Sequence, residues 1–122
     1  KRIVIVAPYM RPLTELVVDY IRHEGYEVLD WRALEIPDNL DVGRHDPARL
    51  PDIVAQMNYK DADVIVLSAC VQMPSLPAVA QVEAMTGKPV LTAAIATTYA
   101  MLKSLKLDRV VPGAGALLSG AY

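Results

Sequence analysis

The sequence has 122 residues, a formal net charge of −2 and one cysteine, and 53% of its residues are apolar. These values predict a single globular domain over residues 1–122 and give no reason to expect nucleic acid or a membrane as a partner. A lone cysteine cannot form an internal disulfide bond, so we expect a reducing, cytoplasmic setting.

The first half of the chain predicts two strands separated by a helix. The first strand is Ile3–Ala7, and a helix with Pro12 in its first turn ends at Gly25, which is its expected C′ residue. Its apolar side contains Leu13, Leu16, Val17, Tyr20 and Ile21. A second strand, Glu27–Trp31, precedes a long connection, Arg32–Asp46, which we interpret as a loop. Loops longer than about 12–15 residues are uncommon in compact domains and are often functional.

The second half of the chain continues the alternation of strands and helices. A helix that begins at Asp46–Pro47 is expected to face the core with Leu50, Ile53, Val54 and Met57. The third strand, Asp63–Ser68, is almost entirely apolar, which predicts burial on both faces. The remaining predicted elements are a helix Ser75–Thr86 with Ser75 as N-cap, a strand Pro89–Thr92, a helix Ala94–Leu105 and a short strand Arg109–Val111.

Four strands that alternate with helices predict an α/β fold with one parallel sheet and helices on both of its faces. Because parallel crossovers are right-handed, we expect the strand order 2-1-3-4 of a flavodoxin-like lobe.

Several cofactor chemistries lack their motifs. The turn after the first strand, Ala7–Pro12, contains no glycine, which argues against a dinucleotide site or a P-loop. The chain has no Cys-x-x-Cys and no His-Glu-x-x-His sequence. The sequence therefore predicts neither a bound cofactor nor a metal.

The candidate site residues follow the carboxyl ends of the strands, where open α/β sheets bind ligands. They are Tyr9, Asn39 and Cys70, with Thr92, Thr97 and Thr98 after the fourth strand. Each also has a purely structural reading: a cysteine after an apolar strand is often a small buried hydrophobe, an Asn can stabilise a turn and a Thr can cap a helix.

Several stretches resemble a known family over essentially the whole chain. Ala7–Pro12, Trp31–Asn39 and Leu67–Ser75, followed by Thr92–Tyr99 and Pro112–Gly115, are similar to the second half of maleate cis-trans isomerases. These enzymes belong to the aspartate/glutamate racemase superfamily.

The resemblance implies a cofactor-independent isomerisation of maleate to fumarate through a covalent cysteine adduct. It implies that Cys70 is the acid/base cysteine, and that Tyr9, Asn39 and the backbone N–H of Val71 bind the substrate carboxylates. It also implies a partner, because the half with the nucleophilic cysteine is missing. We expect a complementary first lobe or self-association into a homo-oligomer. The alternatives are a racemase or decarboxylase of the same superfamily, and a non-catalytic lobe in which Cys70 is structural.

Overall fold

The computed structural model of the chain describes residues 1–44, 46–68 and 75–122. Within these ranges, four strands form one parallel sheet in the order β2-β1-β3-β4, which confirms the predicted fold class and strand order. The strands are β1 (Arg2–Ala7), β2 (Glu27–Ala33), β3 (Val64–Leu67) and β4 (Val90–Leu91). The helices are α1 (Arg11–His23), α2 (Asn39–Arg44), α3 (Leu50–Ala55), α4 (Leu76–Thr86) and α5 (Ala93–Ser104), with 3-10 turns at Pro47–Arg49 and Ala116–Leu118.

Alternation along the strands divides the core into two layers. The larger layer joins Val4 and Val6 of β1 to Ile65 and Leu67 of β3, and side chains of α3, α4 and α5 cover it. The smaller layer joins Ile3, Ile5 and Ala7 of β1 to Val18 of α1 and Val28 of β2. Because all the strands are parallel, their carboxyl ends lie along one edge of the sheet.

Helix α1 turns only part of its predicted apolar side to the sheet: Ile21 packs on the smaller core layer and Val17 is half-buried. Thr14 and Val18 are buried against the sheet, whereas Leu13, Leu16 and Tyr20 are 50%, 67% and 67% exposed. The helix therefore carries a second apolar surface that the described chain leaves uncovered.

The connection after β2 is more ordered than a simple loop. Strand β2 extends two residues beyond the predicted end, and the helix α2 occupies part of the stretch interpreted as a loop. Asp38 starts this helix, because its Oδ1 accepts a hydrogen bond of 2.8 Å from the backbone N–H of Leu40. The expected strand at residues 109–111 is wrong as well: only one antiparallel bridge, Val110 to Ser119, forms there.

The inward face predicted for the third helical segment is confirmed. Leu50, Val54 and Met57 are buried, and Ile53 packs against the same core while partly exposed. In the described part of the chain, no helix combines the length and the apolar character needed to cross a membrane.

Gly115 lies where a side chain would strain the turn after α5. Its φ is +89°, and an added Cβ would lie 2.8 Å from Cγ1 of Val79 and 3.0 Å from Oε1 of Glu83. We expect Gly115→Ala to lower the free energy of unfolding by about 2 kcal/mol, from steric overlap added to the cost of a positive φ. Gly113 also has a positive φ, +75°, but open space around its Cα. Gly113→Ala should therefore cost only about 1 kcal/mol, and equal losses in urea denaturation would contradict the steric part of the explanation.

Asp63, just before β3, links acid pH to stability. Its Oδ2 accepts a hydrogen bond of 2.7 Å from the backbone N–H of Arg2, and this bond, with the Arg2 side chain, holds the pKa of Asp63 below its ordinary value of 3.8. A carboxylate with a lowered folded-state pKa stabilises the fold above its unfolded pKa, and that contribution is lost as the pH falls through the folded pKa. We expect Asp63→Asn to be less stable than the wild type at neutral pH, and the gap to close below pH 3.8. Urea denaturation across this range tests the sign, and a gap that stays constant into acid pH would contradict it.

Candidate active site

Tyr9 stands at the carboxyl edge of the sheet, two residues after β1. The backbone of residues 34–36 runs beside it and donates hydrogen bonds to three successive carbonyls: Leu34 to Ala7 (2.8 Å), Ile36 to Pro8 (3.0 Å) and Glu35 to Tyr9 (3.1 Å). Glu35 reaches this geometry with a positive φ of 54°, which is uncommon for a residue other than glycine. The Tyr9 ring is half-buried against the smaller core layer. The backbone hydrogen bonds from residues 34–36 and the packing of the ring therefore hold Tyr9 in place.

Thr14 is hydrogen-bonded to the same turn, and its role was not predicted from the sequence. Its side chain is fully buried, and Oγ1 lies 3.2 Å from the carbonyl oxygen of Met10 and 3.4 Å from that of Tyr9. The available signal was a hydroxyl side chain four residues before Val18 on the sheet-facing side of α1. Thr14 ties the start of α1 to the turn that presents Tyr9.

Asn39 is the first residue of α2, three residues beyond the stretch that runs beside Tyr9. Its backbone thus follows β2 at the same edge of the sheet as Tyr9, as expected for residues that follow neighbouring parallel strands. Its role as a substrate anchor stays a prediction.

Two further hydroxyl side chains lie near this edge. Thr92 is buried and caps α5, since its Oγ1 accepts a hydrogen bond of 3.1 Å from the N–H of Ile95; this confirms the helix-cap reading for this threonine. Ser75 occupies the N-cap position of α4, but its side chain makes no capping bond, so that part of the prediction is wrong. The N–H of Ala78 instead bonds the carbonyl of Ser75 at 3.0 Å. Among the described residues, the buried Oγ of Ser75 has no hydrogen-bond partner.

Cys70 and Val71 lie outside the described residues, and their proposed roles stay predictions. The structure fixes both ends of the connection that carries them. Strand β3 ends at Leu67, with the N–H of Ser68 donating to the carbonyl of Val6 at 2.8 Å, and α4 begins at Leu76. In sequence, Cys70 thus belongs to the connection between a central strand and the helix that follows it.

Arg11, at the start of α1, is paired with a neighbouring carboxylate and stacks on an aromatic ring. The Nε of Arg11 lies 3.0 Å from Oε1 of Glu15, and its guanidinium stacks 5.1 Å from the centre of the Trp31 ring. Within the described ranges, no three His, Cys, Asp or Glu side chains converge as metal ligands would. The phenol of Tyr9 and the hydroxyls of Ser75 and Thr92 follow three of the strands, and groups of this kind can hydrogen-bond a small carboxylate.

A cavity of about 350 Å³ lies at the opposite edge of the sheet, where the strands begin. Ile3, Val64, Leu91 and Leu117 are among the mainly apolar residues that line it. It contains none of the predicted site residues and is a separate feature.

Comparison with known proteins gives a consistent result. The family model for arylmalonate decarboxylase matches residues 1–118. A maleate isomerase of Pseudomonas putida is 79% identical over the whole chain, which covers 49% of that relative. A solved maleate isomerase variant from Pseudomonas putida, crystallised with maleate, superposes with a TM-score of 0.97 at 64% identity, covering all of this chain and 49% of that one. A Nocardia farcinica maleate cis-trans isomerase variant with a covalently bound succinylcysteine intermediate gives a TM-score of 0.94 at 45% identity, with 100% and 50% coverage.

The chain thus spans about half the length of the curated relatives that it matches. The resemblance to one half of a maleate isomerase is confirmed along its whole length. Because the family model covers nearly every residue, the chain belongs to the arylmalonate decarboxylase family.

Proposed function

We propose that this chain is one half of a maleate isomerase and takes part in converting maleate to fumarate without a cofactor. The observation that carries the proposal is the 79% identity, over all 122 residues, to the Pseudomonas putida maleate isomerase. The succinylcysteine trapped in the Nocardia farcinica relative supports a covalent route.

The chemistry explains why two thiols are needed. A thiolate from the other half adds to one alkene carbon of maleate, and a proton from Cys70 is added to the neighbouring carbon. The bond between these carbons is now single and rotates. Removal of that proton by the Cys70 thiolate expels the first thiolate and leaves fumarate. The cycle consumes nothing, and the covalent step supplies the rotatable bond.

Tyr9 and Asn39 serve the substrate in this proposal by hydrogen bonding to its two carboxylates, together with the backbone N–H of Val71. The fixed backbone of Tyr9 supports this role, because three hydrogen bonds and the buried Thr14 restrain the turn that presents it. A phenol held in this way stays oriented before the substrate arrives, which favours positioning.

A decarboxylase is the second candidate, since the family model is that of arylmalonate decarboxylase. Both reactions act on small dicarboxylates and protonate a carbon beside a carboxylate. They differ in substrate: the isomerase needs an alkene, whereas the decarboxylase needs a malonate that loses carbon dioxide.

The test is to co-express this chain with the remaining half of the Pseudomonas putida relative and to purify the assembly. Proton NMR should show that the vinyl signal of maleate is replaced by that of fumarate. This chain alone, at the same concentration, is the control and should be inactive because it lacks the second thiol. An assembly that ignores maleate but releases carbon dioxide from phenylmalonate would overturn the isomerase in favour of the decarboxylase.

Tyr9→Phe should weaken substrate binding in that assembly. A hydrogen bond to a charged carboxylate contributes about 1.5–3 kcal/mol, so KM for maleate should rise roughly tenfold or more. The ring and its packing are kept, and the melting temperature should not change. Tyr59→Phe is the matched control, because Tyr59 is also half-buried but packs on the larger core layer. Equal KM values for the two variants would argue against Tyr9 as an anchor.

A further inference from the structure

Ser75 is a buried polar residue that neither the core nor the proposed reaction accounts for. Its side chain is fully buried directly before α4. Within residues 1–44, 46–68 and 75–122, its Oγ makes no hydrogen bond. Buried hydroxyl groups are nearly always paired, because an unpaired one gives up its hydrogen bonds to water without replacement. The hydroxyl of Ser75 therefore requires a partner beyond these ranges.

The start of α4 leaves the Ser75 side chain free of its ordinary role. A serine before a helix usually accepts a hydrogen bond from the N–H of the second or third helical residue. Here the second residue is Pro77, which has no N–H, and the third, Ala78, donates to the carbonyl of Ser75 at 3.0 Å. The backbone of Ser75 is itself helical, with φ −88° and ψ −18°, instead of extended as at a capped helix start. The hydroxyl is therefore available to a segment other than α4.

Thr92 shows that burial at this edge of the sheet does not by itself leave a hydroxyl unpaired. It follows β4 as Ser75 follows the neighbouring strand β3, and it is equally buried. Its backbone is extended, with φ −124° and ψ 167°, and its Oγ1 accepts the N–H of Ile95 at 3.1 Å. One hydroxyl is thus satisfied by its own helix, and the other is not.

The segment that directly precedes Ser75 is the connection of residues 69–74, which carries Cys70. The described residues at its two ends are held in place. The N–H of Ser68 donates to the carbonyl of Val6 at 2.8 Å, and Ser75 is buried beside α4, which places Ala78 in the core. Serine side chains commonly hydrogen-bond backbone groups within a few residues of their own position. A backbone group of this connection is therefore the partner that the buried hydroxyl can reach most directly.

We propose that Ser75 is a positioning residue for Cys70: its buried hydroxyl hydrogen-bonds the backbone of residues 69–74 and so fixes the placement of the thiol. This role rests on the proposed function, in which Cys70 transfers a proton to and from a substrate carbon. Proton transfer needs the donor within hydrogen-bonding reach of the reacting atom, and small displacements cost a large part of the rate. A hydrogen bond from the packed end of a helix supplies such a restraint without touching the substrate.

The first test compares variants in the assembly of both halves. Ser75→Ala should lower kcat roughly tenfold and leave KM for maleate near the wild-type value, because the proposed substrate anchors are unchanged. Ser75→Thr keeps the hydroxyl and should recover most of kcat. Thr86→Ala is the matched control, since it removes a hydroxyl from the other end of α4 that bonds the carbonyl of Val82 (2.7 Å) and the N–H of Lys88 (3.2 Å). It should lower the melting temperature and leave kcat near that of the wild type.

The second test does not depend on turnover. Hydrogen–deuterium exchange followed by mass spectrometry should show that Ser75→Ala speeds exchange in the peptide that covers residues 69–74 by roughly tenfold, whereas Thr86→Ala leaves that peptide unchanged. Equal exchange in Ser75→Ala and the wild type would overturn the proposal, and so would equal kcat values for Ser75→Ala and Ser75→Thr. An assembly that never turns over maleate, but in which Ser75→Ala speeds this exchange, would contradict the proposed reaction and leave the hydrogen bond of Ser75 supported.

Discussion

Cys70→Ser is expected to lower kcat for maleate isomerisation by about 10²–10⁴-fold in the assembly of both halves. Serine is close to cysteine in size, but its hydroxyl ionises far above neutral pH, whereas a thiol exchanges its proton near neutrality. The variant therefore keeps the shape of the site and loses the proton transfer. Proton NMR with maleate measures the loss directly, and KM should change much less than kcat.

Two measurements separate this role from a structural one. Light scattering should show that Cys70→Ser still assembles with the complementary half, so that lost turnover is not lost association. Native-state alkylation of the wild type should be fast and should slow when maleate is present. A thiol that reacts only after unfolding, together with a variant that retains wild-type turnover, would make Cys70 a packing residue and leave the chain as a non-catalytic lobe.

Much of the fold follows from local rules. Apolar β-branched runs mark β1 and β3, and the right-handed crossover rule then leaves the observed strand order as the simple solution. The helix α2 was not predicted because it is short and has no apolar periodicity. The carboxylate of Asp38 starts it, and an Asp at such a position is equally typical of a loop.

Helix α1 shows the limit of the pattern. Its apolar side was predicted from periodicity, and the hydrophobic pattern cannot say which of two partners a face contacts. The sheet buries Thr14 and Val18 and packs against Ile21, whereas Leu13, Leu16 and Tyr20, on the opposite side of the helix, are exposed. Apolar periodicity thus locates the apolar side of a helix without showing how much of that side the fold buries.

The positions of the candidate site residues in the fold could be predicted from the sequence better than the contacts that hold them. Tyr9 and the backbone of Asn39 fall at the carboxyl edge because residues that follow parallel strands must do so. The support of Tyr9 by Thr14 and by residues 34–36 depends on contacts between separate segments, which spacing along the chain does not encode. The side chain of Ser75 makes no capping bond for a similar reason: the N–H of Ala78 donates to the carbonyl of Ser75 instead of to its hydroxyl.

The hydrogen bonds of Glu83 are a second feature that no local sequence pattern predicts. It lies on α4, half-buried, and its Oε1 accepts hydrogen bonds from two backbone N–H groups that are distant in sequence: Val90 at 3.1 Å and Ala116 at 2.8 Å. One carboxylate oxygen thus joins the start of β4 to the turn after Gly115. Both donors lose their partner if the side chain is removed.

Glu83→Ala should therefore lower the free energy of unfolding by about 3 kcal/mol, because it leaves two partly buried N–H groups unpaired and opens space beneath them. At the urea dependence usual for small domains, the unfolding midpoint should fall by roughly 1–2 M. Glu83→Gln keeps an oxygen acceptor at the same distance and should cost about 1 kcal/mol, since only the charge is lost. Denaturation at low protein concentration avoids any contribution from self-association. If the two variants were equally destabilised, the charge rather than the pair of hydrogen bonds to Oε1 of Glu83 would hold these segments together.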